Sequence, residues 1–185
     1  DDFYGPDALV GLAASLSAGD EAVLVSYPLG ETLSDHGGVS RGVCVADEEG
    51  RLREIREGLD LSRADGSASG IDVSGAPILV DLHTPVSMNL WGFSGRVFEL
   101  LASAFAVFLQ GRPADEDEFY ISEAVGRLVA RGQLDCRLLE IGAGWLGVTF
   151  PEDRERVARS LASLVDSGVY PHPLWRSPSS AEDVC

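Results

Sequence analysis

The feature that most limits what this chain can become is its alternation of two hydrophobic rhythms. Short apolar runs bounded by turn residues, at 22–29, 77–82 and 86–93, alternate with stretches whose apolar residues recur every three or four positions. The first rhythm suits strands buried in a sheet and the second suits helices with one buried face. Strands and helices interleaved along one chain predict an α/β domain with a mixed sheet.

Local signals set the expected boundaries. Pro6, a favoured first helical residue, precedes Leu9, Leu12, Ala13 and Leu16 at helical spacing, and Gly19 supplies a stop, so a helix is expected over 6–18. Residues 39–46 and 51–56 flank the acidic turn Asp47-Glu48-Glu49-Gly50 and read as a β-hairpin. Between Gly58 and Gly75 the composition turns to Ser, Gly, Ala and Asp, which predicts a flexible loop. Ser94 is placed to cap a helix whose expected buried face is Val97, Phe98, Leu101, Phe105, Phe108 and Leu109. A further helix over 121–131 carries Val125, Leu128 and Val129 on one side and stops at Gly132. Residues 134–141 and 145–150 return to strand. Pro151-Glu152-Asp153 then opens a last helix, with Val157, Leu161, Leu164 and Val165 inward and Gly168 at its end. Residues 177–185 are Ser, Pro, Ala and acid and read as a flexible tail behind a single domain over 1–176.

Charge narrows the classes of partner. Thirty acidic residues against 14 basic ones leave a formal charge of -16, which repels nucleic acid and anionic membrane surfaces, so neither is an expected partner. All the basic residues are Arg, so a phosphate contact would fall to Arg or to a metal. Cys44, Cys136 and Cys185 have no metal-ligand spacing and do not read as a disulfide framework, which fits a reducing cytoplasm. No apolar run approaches the roughly 18 residues a membrane helix needs. His36, His83 and His172 are scattered and suit surface or turn positions.

Asp1 and Asp2 stand where a strand would end and a helix begin, the edge at which open α/β sheets gather ligands. Mg2+ typically takes one or two carboxylates and completes its shell with water and phosphate oxygens. An acid pair favoured by the helix dipole is the plainer account of the same residues.

Several segments carry a more specific likeness when taken in order. They are Asp1-Asp2-Phe3-Tyr4-Gly5, the hairpin from Ser40-Arg41-Gly42 to Glu57, and Ser87-Met88-Asn89-Leu90-Trp91-Gly92-Phe93. The pair Glu118-Phe119, the run Trp145-Leu146-Gly147-Val148-Thr149, and Gly168-Val169-Tyr170-Pro171 with Leu174-Trp175 complete the set. Together, over nearly all of 1–176, they resemble the later half of the nucleotide-sugar pyrophosphorylase-like nucleotidyltransferases.

The resemblance implies a mixed-sheet, GT-A/Rossmann-like fold, incomplete at the N-terminus. It also implies a Mg2+-assisted reaction in which a sugar 1-phosphate attacks the α-phosphate of a nucleoside triphosphate (NTP) and pyrophosphate leaves. Asp1 matches the metal-binding acid and Asp2 is its neighbour, both counted as catalytic. Glu57 matches an acid that hydrogen-bonds sugar hydroxyls, and Gly42 a glycine whose backbone lies against the sugar. Ser87 and Asn89 fall on the strand lining the other side of that pocket, and Glu118 matches a position near the sugar.

The chain also departs from the family pattern. Gly147 stands where many relatives place a second metal-binding Asp, with Asp153 as a substitute candidate, and Gly58 stands where many have a Lys. The family's upstream Gly-rich triphosphate loop has no counterpart, and the one methionine is Met88, so the chain reads as a fragment inactive on its own. A noncatalytic sugar-binding or regulatory subunit and a glycosyltransferase-like domain stay open beside the enzyme reading, as does the oligomeric state.

Overall fold

The computed structural model describes residues 2–114, 117–141, 144–171 and 173. Its centre is β2 (Ala22–Pro28), where residues 22–27 are all buried, as an apolar run interrupted only by Ser26 demands. β2 lies between β7 (Pro85–Phe93), to which it is antiparallel, and β8 (Cys136–Glu140), to which it is parallel. From β7 the sheet continues through β3 (Val39–Ala46), β4 (Leu52–Ala64), β5 (Ser67–Asp72) and β6 (Pro77–Asp81), giving a mixed seven-stranded sheet in the order β6-β5-β4-β3-β7-β2-β8. A separate two-stranded ribbon pairs β1 (Asp2–Phe3) with β9 (Leu146–Gly147).

Because strand side chains alternate between faces, β2 contributes to two cores. Val25 and Tyr27 join Ala8 of helix α1 (Pro6–Ser17), Leu61, Val86 and Met88 in one cluster. Ala22 and Leu24 join Val97 of α3 (Gly95–Gln110) and Val125 and Leu128 of α4 (Ile121–Ala130) in the other. A one-turn helix, α2 (Leu29–Thr32), follows β2, and α5 (Asp153–Asp166) ends the described fold. Gly5, at φ +80°, turns the chain from β1 into α1 in a conformation that costs most residues a steric penalty. No described helix is long and apolar enough to cross a membrane.

Three expectations are corrected. The segment 58–75 is not a loop: β4 runs on to Ala64 and returns as β5 through Asp65-Gly66, both at positive φ. That dipeptide is a two-residue hairpin turn, and Leu61 and Ala68, each fully buried, supply the anchoring that a Ser- and Gly-rich composition hid. The α3 face is core only in part, at Val97 and Leu101. Val97 is buried, but Phe98 is 62% exposed and Phe105 44%, while Phe105 and Phe108 pack instead on Phe119. Helical periodicity marks which residues share a face, and only tertiary contact decides whether that face is covered. Lastly, residues 145–150 form a strand only at Leu146–Gly147, where β1 offers a partner. The proposed tail at 177–185 lies outside the described residues.

Candidate functional site

The ribbon that carries Asp2 is tied to the core by two tyrosines. The Tyr27 hydroxyl donates to the Tyr4 carbonyl oxygen at 2.7 Å, and the Tyr4 hydroxyl donates to the Met88 carbonyl oxygen at 2.8 Å. Burial pushes both phenols up to about 12, the Asp2 charge adding to it, so both remain donors through the physiological range. The Asp2 carboxylate lies 3.3 Å from the Tyr4 hydroxyl and is otherwise open to solvent, directly across from Gly147 in the β1–β9 pairing.

Three of the sequence-predicted residues form one row across the sheet. Gly42 of β3 is paired with Glu57 of β4 on one side and with Ser87 of β7 on the other. Side chains in one row of neighbouring strands rise from the same face, so the missing side chain at Gly42 leaves a hollow between Glu57 and Ser87. Part of it is filled by Ile55: a Cβ at Gly42 would come within 2.9 Å of Ile55 Cδ1 and 3.2 Å of Ser87 Cβ.

Asn89 reaches the same place through an irregularity. Ser26 pairs with Ser87 but Val25 pairs with Leu90, so β7 carries Met88 and Asn89 as extra residues in a bulge. Asn89 sits at φ +60°, a left-handed conformation that Asn tolerates better than most residues, and its N–H donates to Ser87 Oγ at 3.1 Å. The bulge displaces Asn89 from the ladder and leaves it exposed.

Asp2, Gly42, Glu57, Ser87 and Asn89 thereby line one cleft of about 720 Å³, closed on one side by residues 119–123 at the start of α4. Its size suits a small polar metabolite. Burial pushes the Glu57 carboxyl above its usual range and Glu123 adds to this, against the opposing pull of the Arg41 charge. A carboxylate so placed is a strong hydrogen-bond acceptor with incomplete solvation, which favours ligand hydroxyls.

The wall contains two residues to which the sequence reading gave no role in the site. Arg41 is 9% exposed and spends its donors on its own fold: Nε on Thr32 Oγ1 at 3.2 Å, Nη1 on the Ser40 carbonyl at 2.7 Å and Nη2 on the Thr32 carbonyl at 2.5 Å. Its guanidinium carbon stands 5.4 Å from the centre of the Trp145 ring. Trp145 is buried, and its indole N–H has no acceptor among the described residues, nor has that of Trp91, another lining residue. The sequence signal for Arg41 was its place beside Gly42 in a chain whose basic residues are all Arg.

Trp145 also explains Gly147. A Cβ there would fall 2.2 Å from Trp145 Cζ2 and 3.0 Å from Asp2 Oδ1, so the indole occupies the space an acidic side chain would need. Asp153 does not substitute for it. That residue is 3% exposed and does not line the cleft; its carboxylate accepts from the Phe150 N–H at 3.0 Å and the Ser34 hydroxyl at 3.3 Å at the start of α5. Glu118 also stands outside the cleft lining, although its charge and hydrogen bond raise the phenol of Tyr120, which does line it. Asp1 lies outside the described residues. Among the described residues no group of three or more His, Cys, Asp or Glu is placed to hold a metal. His36 and His83 are exposed, and His172 lies outside the described residues. No protein-family model matches the chain, and no curated protein matches it at a significant level.

Proposed function

We propose that this chain holds the sugar-binding part of a cytoplasmic, Mg2+-dependent nucleotidyltransferase of GT-A/Rossmann-like fold, which joins an NTP to a sugar 1-phosphate and releases pyrophosphate. One observation carries the reading. Asp2, Gly42, Glu57, Ser87 and Asn89, assigned from a sequence resemblance and spread over four strands, line a single cleft.

The chemistry asked of these residues is positioning. In-line phosphoryl chemistry depends on holding the attacking oxygen, here on the sugar phosphate, opposite the leaving pyrophosphate. Glu57 accepts from sugar hydroxyls, Ser87 and Asn89 offer both donors and acceptors, and the missing side chain at Gly42 lets the ring approach the sheet. Asp2 is a single exposed carboxylate with open lone pairs, which fits an ion that takes one or two carboxylates and fills its shell with water and phosphate. Such an ion, when bound, supplies charge neutralisation at the phosphates.

The test is an assay of the protein from its complete reading frame for pyrophosphate release, using a panel of triphosphates and sugar phosphates. At least one pair is expected to turn over, and Glu57→Gln to lower kcat/KM for it by about tenfold or more, the worth of one charged hydrogen bond. Absence of turnover with every pair counts against the enzyme. A second reading, a noncatalytic sugar-binding subunit, is favoured by the Trp145 ring in the space beside Gly147. Sugar phosphate binding without turnover in the complete protein would select it.

A further inference from the structure

Arg41 is the one cation among the described residues lining the cleft, beside the carboxylates of Asp2, Glu57 and Glu123. Among the described residues it has no carboxylate within ion-pair distance, and the other described arginines that lack one, at positions 63, 112, 131, 154 and 159, are all exposed. A guanidinium nine-tenths buried without an anion is a costly arrangement unless something completes it. Its three internal hydrogen bonds all run to neutral oxygens, one from each nitrogen, which leaves one N–H on Nη1 and one on Nη2 uncommitted. These bonds and the Trp145 ring hold the fork still, so a ligand meets it already ordered.

Beside the Glu57 carboxylate, the described part of this wall also carries buried donors without acceptors. The indole N–H groups of Trp91 and Trp145 are buried without acceptors among the described residues, and both tryptophans line the cleft next to Arg41's strand or against its guanidinium. Buried donors left without acceptors are completed by an acceptor from outside, and an anionic one gains most at the guanidinium. Burial lowers the Arg41 pKa, while the charges of Asp2 and Glu57 oppose that fall, and the group remains a cation in either case.

We infer that Arg41 is the oxyanion-binding residue of the cleft and takes the phosphate of the sugar phosphate. This rests on the sugar-binding reading of the same cleft. Two sources share this chemistry, a phosphate ester and a sugar carboxylate, and the inference commits to the phosphate.

Binding to the chain is measured by calorimetry and by thermal shift, without divalent cation, for glucose, mannose and galactose, their 1-phosphates, glucuronate and inorganic phosphate. The expected result is that a hexose 1-phosphate binds about tenfold or more tightly than its free hexose, with a preference that shrinks as salt rises. Arg41→Lys should keep part of this preference and Arg41→Gln should abolish it, the preference being read as the ratio of the two affinities measured on the same variant. Should Arg41→Gln fail to fold, the salt dependence of the unaltered chain and the Arg41→Lys variant still decide.

If hexose and hexose 1-phosphate bind equally, the inference falls and the sugar reading stands. If glucuronate alone gains over the neutral hexose, the phosphate assignment is overturned. Binding of inorganic phosphate that depends on Arg41, with no sugar bound, keeps Arg41 as an oxyanion-binding residue but removes the sugar reading and with it the sugar phosphate as the ligand. If nothing binds, both are lost.

Discussion

The hollow at Gly42 depends on one methyl group, and this can be tested by stability alone. A Cβ at Gly42 would approach Ile55 Cδ1 at 2.9 Å, and a Cβ at Gly126 of α4 would approach Ile55 Cγ2 at 2.8 Å, so Ile55 fills the gap between two glycines with different atoms. Gly42→Ala should cost about 1–3 kcal/mol by overpacking, somewhat offset by reduced freedom of the unfolded chain. For a chain of this size that is a fall in Tm of about 2–4 °C per kcal/mol. Ile55→Val alone should cost about 0.5–1.5 kcal/mol, yet it deletes Cδ1, the atom in the way. The double variant should therefore be about 1 kcal/mol more stable than the sum of the two single changes. Ile55→Val keeps Cγ2, so it should give no such relief to Gly126→Ala, whose helix-propensity gain of about 1 kcal/mol cancels within the cycle. Urea unfolding of the six proteins measures both couplings. Additivity for Gly42→Ala with Ile55→Val, or equal relief at both glycines, would refute the account of the hollow.

Other consequences can be checked on the same chain. Glu57 has its folded pKa raised by burial, so the stability linked to it is complete below the unfolded pKa and is lost as pH rises through the folded value. Glu57→Gln should therefore be neutral or stabilising at pH 7 in a pH series of melting curves and lose that advantage in acid; a destabilised variant at pH 7 contradicts it. Asp153 has the opposite sign. Burial opposes its charge, but the Phe150 N–H, the Ser34 hydroxyl and Arg156 hold its pKa below the usual range. Its contribution is present above the unfolded pKa and fades as pH falls through the folded one. Asp153→Asn should cost about 1 kcal/mol at pH 7 and approach the parent in acid. At Asn89, replacement by Gly should leave stability nearly unchanged, while replacement by Ala should cost about 1 kcal/mol because φ is +60°. Equal effects of the two would mean the bulge relaxes. Leu61→Ala, fully buried on a strand that composition suggested was a loop, should cost about 2–5 kcal/mol in urea unfolding, and a cost below 1 kcal/mol would place that segment outside the core.

Much of the scaffold was readable in advance because its signals are local. Pro6 and Gly19 bracket α1, the largely apolar run of β2 marks a strand at the centre of a sheet, and the turn at Asp47-Gly50 joins β3 to β4. Each of these depends on backbone preferences within a few residues. The Ser- and Gly-rich hairpin of β4 and β5 escaped because its anchors, Leu61 and Ala68, are sparse and its turn is only two residues long.

What the amino-acid order determined by itself, then, was the sequence of elements and the set of polar residues available for a site, since propensity, turn chemistry and hydrophobic period act over short distances. The tertiary structure alone decided which of those residues meet. Pairing across β4, β3 and β7 puts Glu57, Gly42 and Ser87 in one row, and a bulge against β2 adds Asn89. Docking of Trp145 closes the space at Gly147 and faces Arg41, while the apolar stripe of α3 is left largely uncovered. These outcomes depend on strand register and packing between residues far apart in the chain, where a shift of one position would turn every side chain to the opposite face.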